Sequence, residues 1–318
     1  MRPDELNEEC IALLEEAGVR RGRYVAVVGA GPSSPVIPAG TKLREQIAAA
    51  CGLDANDPRP FWDFFDDAKT RNQDAFCSII KEQFQDRPFL RLDAYDHIVS
   101  IRFKSFITLN YDSCLPTAFA ADTGEKWEEL FSIYPMRRRP DGTTVGLASA
   151  VDLGHKRRLV AVHGYRDPND PSWPLSKIVL TRSDYERHYF APETGTYLGQ
   201  WWKEVLSLYD CLFIGTSLQE PGLKSVVDYL VKDGNRSFRR RRHLHLKDVS
   251  LRRLMQSEDR YVDGYPAAEL SLGVIPQIRF DPKTQFSGLI DILSRFSGKI
   301  SRTEFEPGMP GLGPIQPL

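Results

Sequence analysis

Residues 24 to 43 read Tyr-Val-Ala-Val-Val-Gly-Ala-Gly-Pro-Ser-Ser-Pro-Val-Ile-Pro-Ala-Gly-Thr-Lys-Leu. The run from Tyr24 to Val28 is apolar throughout, as expected of a strand buried on both faces in a parallel sheet. A Gly-Ala-Gly turn at residues 29–31 follows directly, and a helical pattern starts near Thr41. A strand, a glycine turn and a helix bring backbone N–H groups close to an anion, so this stretch predicts a phosphate-binding turn.

The turn alone is weak evidence of a ligand. Its spacing differs from the G-x-G-x-x-G of hydride-transfer Rossmann domains, because Ser34 stands at the third glycine position. The alternative is a tight strand-to-helix turn that binds no ligand. Residues elsewhere in the chain are needed to distinguish the two interpretations.

Composition narrows the class of protein. The chain has 318 residues, of which 41% are apolar and 27% charged, enough for one large α/β domain or two smaller ones. A net charge of −1 provides no global attraction to nucleic acid or membrane. The N-terminus lacks an apolar signal region, and no apolar run approaches the ~18 residues of a membrane span. We therefore expect a soluble, cytoplasmic protein.

Cysteine usage argues against two kinds of scaffold. The five cysteines are odd in number, scattered and never spaced as C-x-x-C: Cys10, Cys51, Cys77, Cys114 and Cys211. This pattern argues against a disulfide framework and against a structural zinc site, so we expect no zinc. The histidines outside the motifs described below show no metal-binding spacing either.

Strand and helix patterns alternate along the chain. The predicted strands are residues 24–28, 105–109, 159–162, 177–181, 211–214, 243–246 and 274–280, and the predicted helices are residues 6–14, 41–51, 58–100, 197–209, 222–231 and 286–296, with a further helix after residue 181. This order predicts a doubly wound, mostly parallel Rossmann-like α/β sheet, with a helical insertion at about residues 53–100 after the first βα unit. We expect one domain over residues 1–306 and a flexible tail or linker at residues 307–318.

Polar or glycine residues follow four of these strands. They are the turn at residues 29–31, Asn110 with Asp112, His163, and the Gly-Thr-Ser segment at residues 215–217. In doubly wound folds, ligands bind at the carboxyl ends of the strands, so we expect these groups to lie close together.

The order of these motifs resembles that of sirtuins. The motifs that carry the resemblance are Gly29-Ala30-Gly31-Pro32-Ser33, Ile37-Pro38, Thr108-Leu109-Asn110-Tyr111-Asp112, Val162-His163-Gly164 and Gly215-Thr216-Ser217. They are most similar to the sirtuin-like NAD-hydrolysing effectors of bacterial anti-phage defence, where the middle motif is typically Asn-Tyr-Asp. The segment from Ile178 to Tyr185 also resembles that branch, and the resemblance spans roughly residues 20 to 235.

Two departures from sirtuin deacylases support the defence branch. The two C-x-x-C pairs that hold zinc in deacylases are absent from this sequence, and Ala39-Gly40-Thr41 replaces the Asp-Phe-Arg that follows Ile-Pro in deacylases. The resemblance therefore implies an NAD glycohydrolase with NAD as substrate, acting as an abortive-infection effector. A non-catalytic NAD or ADP-ribose sensing module that gates a partner is one alternative, and a deacylase or ADP-ribosyltransferase is another.

The resemblance also implies roles for individual residues. Asn110 hydrogen-bonds the ribose or the attacking water, Asp112 orients the nicotinamide side, and His163 is the base acting through a ribose hydroxyl. Cleavage passes through an oxocarbenium-like state, and the leaving group is already cationic, so no strong general acid is needed. The implied substrate-binding residues are Gly29, Ala30, Gly31, Ser33, Pro38, Gly215, Thr216 and Ser217.

Other polar groups leave alternatives open. Glu220 either binds a ribose diol or caps its own helix. The basic cluster formed by Arg236 and residues 239–242 is either a solvated loop or a contact for an acidic partner, a nucleotide or nucleic acid. Aromatic residues are not interleaved with these arginines, so a stacking platform for single strands is not supported. The resemblance implies a homo-oligomer, a regulatory sensor partner or a fused domain as partners.

Overall fold

The computed structural model describes residues 3–16, 18–19, 22–33, 40–84, 93–124, 131–134, 137–138, 144–164, 178–190, 197–216, 218, 220–232, 241, 243–248, 261–262, 265–266, 277–280 and 287–303. Pro38, Ser217 and the tail at residues 307–318, to which predictions were attached, lie outside these residues. The same holds for all of the basic cluster except Arg241, whose Nε donates to the carbonyl of Ser207 over 3.0 Å.

The described chain alternates helices and strands. The helices are α1 Pro3–Glu16, α2 Gly40–Cys51, α3 Phe61–Arg71, α4 Gln73–Gln83, α5 Asp93–Ser100, α6 Cys114–Thr123, α7 Arg182–Tyr185, α8 Tyr197–Leu208, α9 Pro221–Lys232 and α10 Ser287–Thr303. The strands are β1 Tyr24–Val28, β2 Phe106–Thr108, β3 Phe131–Ile133, β4 Arg137–Arg138, β5 Thr144–Val145, β6 Leu159–Ala161, β7 Asp210–Ile214, β8 Leu244–Asp248, β9 Tyr261–Val262, β10 Tyr265–Pro266 and β11 Gln277–Phe280. Short 3-10 turns cover Gly31–Ser33 and Val151–Gly154, and a π-helical turn covers Glu186–Phe190.

Among the described residues, seven strands form the main sheet in the order β11-β8-β7-β1-β2-β6-β3. Every pairing in this sheet is parallel, which confirms the predicted doubly wound α/β fold. From the central strand β1 the chain first builds β2, β3 and β6 on one side and then returns to build β7 on the other. The point between β1 and β7 is therefore a topological switch point, where such folds bind ligands.

The buried faces of β1 explain the layers on either side of the sheet. Tyr24, Ala26 and Val28 point to one face, where they pack in a cluster with α1, α5, α6 and α10. Val25 and Val27 point to the other face and pack in a cluster with α8 and α9. Because successive side chains of a strand alternate, an unbroken apolar run is what a sheet covered on both faces requires. Each fully buried valine contributes about 1.5–3 kcal/mol relative to exposure.

The predicted helical insertion is present as α3, α4 and α5. The first two helices pack with α2 around a separate apolar cluster that contains Phe64, Phe76 and Ile80. Asn72 separates α3 from α4, and its side chain accepts a hydrogen bond from the N–H of Ala75 over 3.1 Å. This capping contact starts α4 immediately after α3 ends.

Two local predictions were wrong. We expected a strand at residues 177–181, but residues 178–181 form no strand. The N–H groups of Leu180 and Thr181 donate instead to the carboxylate of Asp184, as part of a capping box that starts α7. Conversely, β3 lies where the sequence predicted neither a strand nor a helix, and it pairs with β6. Its three residues are too few for a period-2 pattern to be read from the sequence.

Across the described residues, none of the helices is both long and apolar enough to cross a membrane.

Candidate functional site

The four predicted motifs follow four strands that are direct neighbours in the sheet, in the order β7, β1, β2 and β6. Since all four strands are parallel, their carboxyl ends meet at one edge. The structure therefore places Gly215 and Thr216, the turn at residues 29–31, Asn110 with Asp112, and His163 side by side along that edge.

The turns after β1 and β7 pack directly against each other. The N–H of Gly31 donates to the carbonyl of Gly215 over 2.8 Å. A Cβ atom added at Gly29 would lie 2.7 Å from the carbonyl oxygen of Gly215, and one added at Gly215 would lie 2.3 Å from Cδ of Pro32. Gly215 also has a φ of +63°, which side chains disfavour. Glycine is therefore required here for contact between the two turns.

This packing leaves one exposed residue on the turn after β1. The N–H of Gly29 donates to Ile214 over 2.9 Å, that of Gly31 donates to Gly215, and that of Ser33 donates to Ala30 over 3.1 Å. Residues 31–33 are buried, whereas Ala30 is exposed. An anion that approaches this turn from solvent meets Ala30 first.

Asn110 connects the motif after β2 to the turn after β1. Its Nδ2 atom lies 2.9 Å from the carbonyl oxygen of Gly29, 3.1 Å from the hydroxyl of Tyr95 and 3.3 Å from Oγ of Ser33. Its backbone N–H donates to the hydroxyl of Thr108 over 3.0 Å. Asn110 is buried, so these contacts hold the side chain in one orientation.

Asp112 is a second buried group of the same motif. Its Oδ2 accepts from the hydroxyl of Ser33 over 3.0 Å, and its Oδ1 accepts from the N–H of Cys114, at the start of α6, over 2.9 Å. Burial raises the pKa of this carboxyl, and the hydrogen bonds oppose that rise. The carboxyl therefore helps to hold the turn after β1 and the start of α6 together.

Tyr95 was not among the predicted site residues. It lies on α5, and its hydroxyl is 2.5 Å from Oγ of Ser33. Burial raises the pKa of this phenol well above its usual value, so the group stays neutral. In the sequence, Tyr95 belongs to the buried apolar face of a helix together with Ala94, Ile98 and Val99. Nothing in that spacing distinguishes a hydroxyl used in the site from an ordinary core aromatic residue.

His163 is 1% exposed and belongs to a chain of hydrogen bonds. Its Nε2 lies 2.8 Å from the hydroxyl of Tyr189, which in turn accepts from Nε1 of Trp202 over 3.2 Å. Burial lowers the pKa of His163 to about 3, opposed by a hydrogen bond to the backbone of Leu109. The imidazole is therefore neutral at physiological pH, as a proton acceptor must be.

Glu220 lies close to this histidine, with its Oε1 3.8 Å from Nε2 of His163. Its carboxyl accepts from the N–H groups of Gly222 over 2.8 Å and Leu223 over 2.7 Å, so it caps α9, one of the two predicted roles. Burial raises the pKa of Glu220 to about 7. Because His163 is neutral, the contact between the two side chains is not an ion pair.

Thr216 follows β7 and is partly buried. Its hydroxyl accepts from the N–H of Leu218 over 3.2 Å, which closes a tight turn. Its carbonyl lies 2.7 Å from Nε2 of His245, a buried residue of β8. This histidine contacts the turn after β7, a role that sequence reasoning did not identify.

The arrangement combines one exposed residue between two glycines, an oriented amide, a buried carboxyl and a neutral imidazole. Such groups can bind hydroxyls and accept a proton. Within the ranges that the structure covers, no group of three or more His, Cys, Asp or Glu side chains is placed to hold a metal ion.

Comparison with models of known protein families identifies a SIR2-like domain in this chain. The family model of the SIR2-like domain matches residues 104–262, which include three of the four strand-end motifs; the turn at residues 29–31 precedes them. No curated protein matches the chain.

Several solved structures are similar over most of their length. One, from work on the structural basis for the mechanism and regulation of Sir2 enzymes, is 16% identical and covers 95% of this chain and 100% of that chain, with a TM-score of 0.41. A mutant Sir2 homologue in complex with ADP-ribose is 11% identical, covers 92% and 99%, and has a TM-score of 0.43. A Sir2 homologue–NAD complex is 14% identical, covers 91% and 93%, and has a TM-score of 0.42. TM-scores this low support no conclusion about the activity of the chain.

Proposed function

The chain belongs to the SIR2-like domain family, and from that premise we propose that it is an NAD glycohydrolase, which cleaves the nicotinamide–ribose bond to give nicotinamide and ADP-ribose. The observation that carries the proposal is the convergence of four motifs at the ends of neighbouring strands β7, β1, β2 and β6. The contacts of Asn110 with Gly29, and of Ser33 with Asp112, join two of these motifs directly. Residues distant in sequence thus form one polar centre at a topological switch point.

In this proposal the turn after β1 binds the pyrophosphate. Ala30 is exposed there, and the glycines on either side let the phosphate approach the backbone. Gly215, Thr216 and Ser217 contact the phosphate or the adenine-side ribose from the turn after β7. Pro38 is assigned to the substrate by the motif alone, since Pro38 and Ser217 lie outside the described residues.

The reaction itself is a displacement at C1′ of the nicotinamide ribose. The bond from C1′ to the pyridinium nitrogen breaks, its electron pair stays on that nitrogen, and neutral nicotinamide leaves. A water oxygen forms the new bond to C1′ and releases one proton. Because the transition state resembles an oxocarbenium ion, groups that orient the water and the ribose hydroxyls accelerate the step.

The buried side chains have distinct parts in this reaction. Asn110 orients the water or a ribose hydroxyl, and Asp112 orients the nicotinamide side. The neutral imidazole of His163 accepts a proton through a ribose hydroxyl. Its Nε2 hydrogen-bonds to Tyr189 in this structure, so a substrate hydroxyl must replace the hydroxyl of Tyr189 at that atom.

We propose that the protein depletes NAD during anti-phage defence. It does so either as an assembled oligomer or under the control of a regulatory partner. This proposal rests on the Asn-Tyr-Asp motif at residues 110–112, which is typical of that branch of sirtuin-like proteins.

The test is incubation of the isolated and the assembled protein with NAD, followed by chromatographic detection of nicotinamide and ADP-ribose. Asn110→Ala and His163→Ala should each abolish the release of nicotinamide while circular dichroism remains that of the parent. His155→Ala is the matched control, because His155 is exposed and precedes the amino end of β6, whereas His163 follows its carboxyl end. Hydrolysis at the parent rate by a folded, assembled His163→Ala protein would refute the assignment of the site.

One observation favours a second candidate function. His163 is buried and its Nε2 already hydrogen-bonds to Tyr189, an arrangement that suits a site that binds a nucleotide without cutting it. A sensing module of this kind would bind NAD or ADP-ribose and return it intact after long incubation. Release of nicotinamide above a protein-free control excludes it, whereas a mass increase on an acceptor protein would indicate ADP-ribosyl transfer.

A further inference from the structure

The orientation of the Asn110 amide follows from its partners. A backbone carbonyl can only accept a hydrogen bond, so the Asn110 atom 2.9 Å from the oxygen of Gly29 is the donor Nδ2. The same nitrogen faces the hydroxyl of Tyr95 at 3.1 Å and Oγ of Ser33 at 3.3 Å. The amide oxygen Oδ1 takes part in none of these bonds. Within the fold, Asn110 thus uses its donor side in the contacts with Gly29, Tyr95 and Ser33, and Oδ1 lies outside these three contacts.

The hydroxyl of Tyr95 lies at the centre of a directed chain of hydrogen bonds. The Asn110 amide donates to Tyr95, and Ser33 donates to the carboxylate of Asp112 over 3.0 Å. Since the single proton of Ser33 is used toward Asp112, the proton shared across the 2.5 Å contact between Ser33 and Tyr95 belongs to Tyr95. The direction therefore runs from Asn110 through Tyr95 and Ser33 to Asp112. Such chains are cooperative when buried.

The helix that carries Tyr95 is held firmly in place. On α5, Ile98 and Val99 belong to the same apolar cluster as Phe119 of α6 and Phe296 of α10. Nδ1 of His97, on α5, also lies 3.1 Å from the hydroxyl of Ser297 on α10. Packing on two helices leaves Tyr95 little freedom to move away from Asn110.

We propose that Tyr95, contributed by the helical insertion, is a positioning residue that holds Asn110 with Oδ1 toward the substrate and ties Asn110 to Asp112 through Ser33. The inference rests on the proposed function, because the group that Oδ1 accepts from is then the attacking water or a hydroxyl of the nicotinamide ribose. The helical insertion thus contributes a residue to the reaction centre in addition to forming its own apolar cluster.

The first experiment needs no catalysis. In ¹⁵N-labelled protein, the side-chain NH₂ signals of Asn110 are assigned by their loss in Asn110→Asp, and they are then compared between the parent and Tyr95→Phe. We expect a changed chemical shift and faster exchange with solvent in Tyr95→Phe, because one acceptor of the amide is lost. Tyr209→Phe is the control: its hydroxyl donates to the carbonyl of Val151 over 2.9 Å, at the opposite edge of the sheet. Unchanged Asn110 signals in a folded Tyr95→Phe protein would overturn the proposal.

The second experiment is kinetic. Tyr95→Phe should lower kcat for NAD hydrolysis by about tenfold and leave KM within about twofold, since misplacement of an orienting group affects the reaction more than binding. An equal fall of kcat in Tyr209→Phe would mean a general loss of structure and would overturn the proposal. If the parent protein releases no nicotinamide, the proposed function fails, while the NMR comparison still decides whether Tyr95 positions Asn110.

Discussion

The Nε2 atom of His163 lies 2.8 Å from the hydroxyl of Tyr189, and that hydroxyl accepts a hydrogen bond from Nε1 of Trp202 over 3.2 Å. Because the indole nitrogen only donates, the Tyr189 oxygen is the acceptor in its contact with Trp202, whereas the direction of its contact with His163 is set by the tautomer of the imidazole. Close packing of the Tyr189 ring on Gly222 holds it there: a Cβ atom added at Gly222 would lie 2.4 Å from that ring. The tyrosine thus links the histidine after β6 to α8 and α9.

Tyr189→Phe should therefore destabilise the protein by about 1–3 kcal/mol, because the buried N–H of Trp202 and the buried Nε2 of His163 both lose the hydroxyl as a partner. Urea unfolding followed by tryptophan fluorescence measures the change. Tyr229→Phe serves as the control, since Tyr229 is 48% exposed. Equal stability of the two variants would contradict a hydrogen-bonded role for the Tyr189 hydroxyl.

Gly215→Ala should destabilise the protein by about 2–5 kcal/mol, from strain at a positive φ and from overpacking against the turn after β1. The added methyl group would lie 2.3 Å from Cδ of Pro32. Gly52→Ala separates the two effects, because Gly52 has a φ of +67° and nothing within 4 Å of an added Cβ. It should lose only about 1–2 kcal/mol, the strain alone. If thermal unfolding shows the same loss for both variants, the two turns are not packed as described.

Asn110→Asp should lower NAD hydrolysis by about a hundredfold, because a carboxylate oxygen would face the carbonyl of Gly29 where the amide now donates, and the side chain must move. The rate of nicotinamide release from NAD, measured at matched protein concentration, checks this. Asn56→Asp is the matched control, since Asn56 is exposed on a surface turn. Retention of the parent rate in Asn110→Asp would show that the amide protons are not needed.

The raised pKa of Glu220 predicts that the stability of the protein depends on pH. Burial raises its pKa in the folded protein from an ordinary 4.5 to about 7, so the folded state holds this proton more tightly than the unfolded state does. Its contribution is most favourable below about pH 4.5 and is lost as the pH rises toward 7. Glu220→Gln cannot lose a proton, so relative to the parent it should gain stability across that window.

The measurement is the urea midpoint of the parent and Glu220→Gln at several pH values from 4.5 to 8. His163 contributes in the opposite direction, because its lowered pKa makes the folded state lose stability as the pH falls below 6.5, so the range from pH 6.5 to 8 reports mainly on Glu220. Glu82→Gln, at an exposed position of α4, is the control. A constant difference between parent and Glu220→Gln over this range would contradict a raised pKa at Glu220.

Much of the fold and part of the candidate site follow from local sequence. The unbroken apolar run of β1 and the helical spacing of the insertion each predict their own structure, because burial on two faces and burial on one helical stripe leave different patterns. The prediction at residues 177–181 failed, since the backbone N–H groups of Leu180 and Thr181 bond to Asp184 instead of a neighbouring strand. An apolar stretch alone does not say which partner its N–H groups will take.

The sequence by itself determined the parallel α/β class and the order of the motifs at the strand ends, because both depend on short-range patterns of apolar, glycine and polar residues. Only the tertiary structure decided which of these residues touch. Ser33 and Asp112 are 79 positions apart, and Asn110 meets Ser33 across 77 positions. Contacts over such separations depend on strand order and on how side chains fill the core, and a linear pattern does not record either. The turn at residues 29–31 shows the difference: the sequence predicts a site for an anion, and the structure adds that its glycines also hold the turn after β7.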